Sequence, residues 1–242
     1  MPHAAHREEP AFAPAPLADA LPVIETVATP DDLVTLILDR TPERGGYRTL
    51  VAPQSQGIDA GPTAILLAQG LVAATQPSLL VEWAPGTSQL AASFGLASSP
   101  GLAELIAGDA TFEDVITTIP GTQCHFLSAG DGLETVAAAR DPDQVNLVLD
   151  ALDEAYAHII VTGEHDFVRT LFETIEGRFD AGIVVTDPDQ PHATLRDPDG
   201  TFLGFEVADI HLLKIAQSSA AMAAAGLRIK EQAPGRRAKQ PA

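Results

Sequence analysis

Between Tyr47 and Leu71 the chain reads YRTLVAPQSQGIDAGPTAILLAQGL, and the chemistry this spacing could do is phosphate binding. A buried strand (Thr49 to Val51) runs into a polar loop (Pro53 to Gly61), and an apolar helix starts at Pro62. A loop between a strand and a helix N-terminus gathers backbone amides, and the helix dipole adds to their pull on an anion. A working loop of this kind ends Gly-Lys-Ser/Thr, the lysine reaching the β/γ-phosphates and the hydroxyl holding Mg²⁺. Here the triplet is Gly61-Pro62-Thr63. The glycine and the hydroxyl are in place, but a proline, with neither charge nor N–H, stands for the lysine. Gly57, Gly61 and Thr63 are therefore the candidate cofactor-binding residues, as vestiges of a site for ATP or ADP with Mg²⁺ held by backbone amides. A bare strand-to-helix turn is the alternative reading of the same residues. The missing cation favours it, so the expected cofactor is none and no catalytic residue is assigned.

Other reactive side chains carry less. Glu164, His165 and Asp166 are consecutive, but no His-Glu-x-x-His spacing or second cluster accompanies them, so they read as a helix cap with solvated charges rather than a metal site. His125 and His158 begin apolar runs and read as hydrogen-bonded structural residues rather than bases. Cys124, the one cysteine, excludes an intramolecular disulfide and suits a reducing compartment as a small buried hydrophobe. No Ser/His/Asp arrangement has local support.

Periodicity gives the scaffold around these residues. Met1 to Pro30 alternates proline with alanine and reads as a flexible tail. Asp31 or Asp32 caps a short helix with Leu33, Leu36 and Ile37 on one face. Ser78 to Glu82, His125 to Ser128, His158 to Thr162 and Ala181 to Val185 read as further buried strands. Helices are expected up to Phe94, twice within Gly101 to Ile116, and over Asp141 to Tyr156 and Asp166 to Ile175. Continuous β-branched runs alternating with helices mean a three-layer α/β fold, an open, mostly parallel sheet with helices on both faces. A hairpin is expected from Ala193 to Arg196 and Thr201 to Glu206 around Asp197-Pro198-Asp199-Gly200. An Ala-rich helix from about Ile210 to Ile229 closes a single domain over 31–230, and 231–242 is a basic disordered tail.

With 242 residues, 45% of them hydrophobic, the chain can bury a sizeable core. Its net charge of −19, from 14 basic and 33 acidic residues, argues against nucleic acid as a partner. No apolar h-region marks a signal peptide and no apolar run is long enough for a transmembrane segment, so a cytoplasmic protein is expected. The basic residues Arg236, Arg237 and Lys239 could dock an acidic partner or the inner-membrane surface; a solvated tail is the alternative.

The run FGLASSPGLAELIAGDATFEDVI (Phe94 to Ile116) resembles the stretch after the second strand in the cytoplasmic kinase-like domains of bacterial polysaccharide co-polymerases. These are tyrosine autokinases of capsule and exopolysaccharide synthesis, within the MinD/ParA-like group of division-site and partition ATPases. LLVEWAPG (Leu79 to Gly86) is similar to that family's second acidic nucleotide motif. YAHIIVTGEHD (Tyr156 to Asp166) is similar to its hydrolytic strand, FDAGIVVTD (Phe179 to Asp187) to the next, and FLGFEVAD (Phe202 to Asp209) loosely to the last. The resemblance implies a P-loop NTPase-like fold. Its chemistry does not carry over: the loop lysine is Pro62, the metal-organising aspartate is Thr162, and an alanine (Ala84) follows where the second motif, at Glu82, has another aspartate. The adenine-reading asparagine has no counterpart, and the only tyrosines are Tyr47 and Tyr156. Glu43, Arg44 and Arg48 lack the spacing of the ring-assembly helix.

What the resemblance implies is a pseudo-enzyme, a pseudokinase partner of an inner-membrane polysaccharide co-polymerase subunit in exopolysaccharide (holdfast-like included) synthesis and export. It would be cytoplasmic and peripheral at the inner membrane through that partner, with a homo-oligomer as a further option. The alternatives are an active but atypical ATPase or protein-tyrosine kinase, and a MinD/ParA-like spatial-positioning factor. Partner-facing loops in such a fold lie at the carboxyl ends of the strands. The docking candidates are therefore Gln54, Ser55, Gln56, Trp83, Glu164 and His165, within Gln54 to Ala60, Trp83 to Thr87 and Gly163 to Asp166. Trp83 would either anchor a partner or fill the space a nucleotide vacates.

Overall fold

The apolar runs Thr49 to Val51, Leu79 to Val81 and Ile159 to Val161 become strands covered on both faces. The structure, a computed structural model, describes residues 25–40, 45–86, 89–175, 177–187, 201–207 and 209–217. In chain order these form β1 (Glu25–Val27), α1 (Pro30–Leu38), β2 (Tyr47–Pro53), α2 (Gly61–Ala73), β3 (Ser78–Glu82), α3 (Gln89–Phe94), α4 (Leu102–Ala107), α5 (Phe112–Val115), β4 (Ile116–Thr118), β5 (His125–Leu127), α6 (Pro142–Asp153), β6 (His158–Thr162), α7 (His165–Thr174), β7 (Ala181–Thr186), β8 (Thr201–Phe202), β9 (Phe205–Glu206) and β10 (His211–Ala216). Two 3₁₀ turns, Leu133–Thr135 and Ala137–Arg140, lead into α6.

The main sheet has the order β1-β10-β7-β2-β6-β3-β5-β4. All its pairings are parallel except that of β4 with β5. The expected parallel strands β2, β3 and β6 lie side by side at its centre. Side chains alternate between two cores, as the period of a strand requires. Val51, Leu80, Ile160 and Ile183 face α1, α2 and α3. Leu50, Leu79, Val81 and Val161 face α4 to α7. The three-layer, open, mostly parallel α/β fold is as the sequence implies.

Helix α2 sits against the sheet because its residues are apolar nearly all round, and against α1 because Gly70 leaves room. A Cβ at Gly70 would collide with the Val34 side chain. At the amino end of the sheet Arg48 is 6% exposed; its guanidinium is bound by Asp153 (Nε to Oδ2 3.1 Å) and Asp150 of α6. Its N–H donates to Asp180 Oδ2 at 2.7 Å. Arg48 thus clamps α6 and β7 onto β2.

Several expectations need correction. The cap of α1 is Thr29, whose hydroxyl oxygen accepts from the Asp32 N–H at 3.2 Å, with Pro30 opening the first turn. Proline at that position has the helical φ already set. Glu25–Val27, assigned to the tail, pairs with β10 at the sheet edge. The segment expected to begin an Ala-rich helix is instead strand β10 (His211–Ala216). HLLKIA is β-branched only at Ile215, and burial between β1 and β7 overrides its helical propensity. The last strand is therefore this one, not FLGFEVAD. Within FLGFEVAD, Phe202 and Phe205 belong to the β8–β9 hairpin, which turns at Leu203-Gly204. Ala193 to Gly200 and the segment beyond Gln217 lie outside the described residues, as do Glu43, Arg44 and Met1 to Ile24.

Candidate functional site

The loops after β2, β3 and β6 meet around a cleft of about 440 Å³ lined by Gly57 to Gly61, Glu82, Ala84, Gln89, Leu90, Ser93 and Thr162 to Glu164. It lies outside the carboxyl ends of the central strands, where open α/β sheets hold ligands. Gly57 and Gly61, two of the three expected cofactor residues, are on its wall. Gly57 has φ +90° and turns the loop. Gly61 opens α2, and a Cβ there would meet Leu90 Cδ2 at 2.8 Å, so an apolar side chain of α3 presses on the place where the helix begins. Thr63 is buried at 4% exposure and is not on the cleft wall.

The residues that would carry charge chemistry are engaged in folding. The Gly61 N–H at the start of α2 donates to Asp59 Oδ1 at 2.9 Å, so the loop already supplies an anionic acceptor to its own helix terminus. Glu82, the counterpart of the second acidic motif, is 3% exposed. Its Oε1 accepts from the Gln89 and Leu90 N–H groups at 2.9 and 3.0 Å and so holds the first turn of α3. The Thr162 hydroxyl donates to the Val51 carbonyl at 2.9 Å, stapling β6 to β2 within the sheet. Among the described residues no group of three or more His, Cys, Asp or Glu side chains could hold a metal ion.

Asp59, Glu82 and Glu164 give the cleft wall three carboxylates, and no lysine or arginine is among its described residues. A carboxylate brought to about 4 Å from a phosphate oxygen costs roughly 4 kcal/mol at an effective dielectric near 20. A nucleotide site needs the opposite sign.

Two of the three loops expected to form one face meet directly, the loop after β2 and the start of α7. Gln56 Nε2 donates to Asp166 Oδ2 at 2.6 Å, joining the loop after β2 to the start of α7, and His165 Nδ1 lies 2.8 Å from Asp166 Oδ1. Those two contacts, His165 first, hold the Asp166 carboxyl below its usual range. Ser55, Gln56 and Glu164 are exposed and His165 is half-buried; Gln54, also half-buried, donates its N–H to the Val185 carbonyl at 2.8 Å. Glu164 is the N-cap residue of α7, without a side-chain capping bond.

Trp83 departs from this face. It is 5% exposed and packs with Leu102, Ile106, Val145 and Leu149 on the α4–α6 side of the sheet. The sheet's alternation sends Glu82 to the cleft and its neighbour to the other layer. The ring neither fills the cleft nor stands exposed as an anchor. Behind it, Gly163 is required, since a Cβ there would strike the Trp83 carbonyl oxygen.

Of the isolated candidates, His125 Nδ1 lies 2.7 Å from the Tyr156 hydroxyl, the structural role expected. His158 is fully buried, and burial lowers its pKa to about 4. Cys124 is buried and its thiol is pushed up to about 12 by desolvation, as an inert hydrophobe would be. Sequence reasoning missed Gln89, Leu90 and Ser93, and took in Asp59 only as part of the loop Gln54 to Ala60. For Asp59 a signal existed: an aspartate two residues before a glycine whose N–H it can accept is a turn signature.

No protein-family model and no curated protein matches the chain. Solved structures do. The chain is similar to the chimerical protein CapA2B2 (TM-score 0.64, 14% identity, 82% of this chain and 95% of that one). It is similar to the kinase domain of the Escherichia coli tyrosine kinase ETK (TM-score 0.65, 12% identity, 77% and 73%). It is also similar to a chain of the MinC:MinD cell division protein complex of Aquifex aeolicus (TM-score 0.55, 16% identity, 75% and 73%). At these identities the likeness is one of fold: the P-loop NTPase-like sheet of bacterial tyrosine kinase domains and MinD-type ATPases, the group that the order of motifs implies.

Proposed function

We propose that this chain is a catalytically inactive member of that structural group, a cytoplasmic partner of an inner-membrane polysaccharide co-polymerase in bacterial exopolysaccharide synthesis and export. The observation that carries the inactive part is the cleft itself. Phosphoryl transfer works by placing positive charge and metal around spreading negative charge. This cleft presents Asp59, Glu82 and Glu164 instead. Pro62 stands in the lysine's place, and Thr162 is committed to a backbone carbonyl. The partner part is supported by the order of motifs from Tyr47 to Val185 and by the fold shared with tyrosine kinase domains. Among the described residues no helix is long and apolar enough to cross a membrane, which fits a membrane subunit supplied by another chain. The loops bearing Gln54, Ser55, Gln56, Glu164 and His165 are the docking face.

The test is affinity capture of the chain from its native cells under mild detergent. Recovery of a membrane protein of polysaccharide chain-length control, lost on changing Gln56 and His165 together to alanine, supports the proposal. Recovery of a cell-pole or division-site protein instead, or phosphotyrosine on the purified chain, overturns it.

A further inference from the structure

The loop after β2 is held differently on its two flanks. In the sheet β7 lies on one side of β2 and β6 on the other. Toward β7 and β10 the ties run to the ends of strands. The Gln54 N–H donates to the Val185 carbonyl at 2.8 Å, and Gln217, which follows β10, donates its Nε2 to the Asp59 carbonyl at 3.1 Å. Toward β6 the tie is between side chains, Gln56 Nε2 to Asp166 Oδ2 at 2.6 Å. His165 engages the other oxygen of that carboxylate, leaving Oδ2 for the loop. The Asp166 side chain is 70% exposed, so water competes for both partners and the bond opens at small cost. Between the flanks Ser55, Gln56, Gly57 and Asp59 are exposed. At Gly57, where φ is +90°, no atom of the described residues lies within 4 Å of the place a Cβ would take. The loop therefore has room to move. The cleft lies on the side-chain-tied flank: its walls are Gly57 to Gly61 on the loop and Thr162 to Glu164 after β6.

We propose that residues 55–59 form a strap latched over the end of β6 by Gln56 and Asp166, and that release of this bond swings the strap toward β10 and widens the cleft. The hinge flank stays fastened, since Gln54 and Gln217 keep their bonds. Ile58, half-buried against the α2 side of the core, moves with the strap and becomes accessible in the open form. Gln56 is on one jaw and Glu164 and His165 are on the other, so anything seated between them has to displace the latch first. The latch is a property of this chain alone. It stands or falls separately from the identity of any docking partner and from the inactive-cleft reading.

Limited proteolysis of the full-length protein tests this. Thermolysin, which cleaves before large apolar residues, reads the open population at the Gly57–Ile58 bond when cleavage is slow relative to reclosing. Cuts are mapped by mass spectrometry, and each rate is divided by that of a free peptide spanning 51–64 with the same sequence. Asp166→Ala and Gln56→Ala should each speed this cut about fivefold, the equivalent of roughly 1 kcal/mol. The double variant should be no faster than either single one, because both remove the same bond. Asp166→Asn, whose side-chain oxygen still accepts from Gln56, should stay within about twofold of the unchanged protein. Cleavage before Ile160, fully buried in β6 and reached by global unfolding, should be the same in every variant. Unchanged cutting at Gly57–Ile58 in both single variants overturns the proposal. So does a double variant as fast as the product of the two, which makes the residues independent. An Asp166→Asn variant as fast as Asp166→Ala overturns it as well, since the effect would then be one of charge at the start of α7. A parallel rise before Ile160 does the same, because the bond would then brace the whole fold rather than latch a loop.

Discussion

Lowering the pH should destabilise this protein through one buried imidazole. His158 opens β6, is fully buried, and sits edge-on to Tyr47 with ring centroids 6.1 Å apart. Desolvation lowers its pKa from the ordinary 6.5 to about 4. Above pH 6.5 the imidazole is neutral in both folded and unfolded chains and contributes no pH dependence. Between 6.5 and about 4 the unfolded chain binds a proton that the native one refuses, so stability falls as pH falls through this window. A fall from 6.5 to about 4 corresponds to roughly 3 kcal/mol lost by pH 4. Urea unfolding from pH 7.5 to 4.0, run on the protein and on His158→Leu, measures it. The leucine variant has its own constant offset, so the readout is the difference in slope. Wild type should lose about 3 kcal/mol more than the variant, and nearly all of that difference should appear below pH 6.5. Equal slopes, or a difference that grows above pH 6.5, would show that His158 is not the group responsible. The half-buried His211, whose pKa burial also lowers, contributes equally to both proteins and cancels.

Three further outcomes are expected from packing. Trp83→Ala should cost about 3–5 kcal/mol in chemical denaturation, since the ring is enclosed by Leu102, Ile106, Val145 and Leu149; a loss under 1 kcal/mol would mean that the ring is not core. Thr162→Val should cost about 1–2 kcal/mol by leaving the Val51 carbonyl without its side-chain donor, and a stabilised variant would contradict the staple. Arg48→Met should cost about 1–3 kcal/mol, below the value for a fully buried pair because Asp150 is half exposed to water. Adding Asp153→Leu should recover part of that loss, and a purely additive double variant would argue against the pair.

The layered sheet is legible because its strands are buried on both faces and so read as continuous apolar runs, SLLVE, HIIVT and AGIVV above all. Where an element is held by its neighbours rather than by its own composition, sequence reasoning fails. HLLKIA has the residues of a helix and becomes β10 because β1 and β7 leave it a slot between them. Glu25–Val27 sits in a Pro/Ala context and is a strand only because β10 offers an edge. In the site, what can be read is what is missing, at Pro62 and Thr162. The positive content of the cleft is hidden because it comes from tertiary placement: Glu82 bonding α3, Leu90 pressing on Gly61, Gln56 reaching Asp166. Trp83 is ambiguous between two layers. One residue of strand register separates the cleft side from the core side, and the sequence does not say whether the alternation of β3 continues as far as Trp83.

Whether the cleft takes a nucleotide is decided by titrating the full-length protein with MgATP, read by calorimetry and by the thermal midpoint together. A ligand present at about a hundred times its Kd would stabilise the native state by about 2.7 kcal/mol and raise the midpoint visibly. The acidic cleft predicts no saturable heat and no shift with millimolar MgATP or MgADP. Saturable binding, weakened by adding a further acid through Gly57→Asp and strengthened by Asp59→Asn, would show that the cleft is a nucleotide site after all.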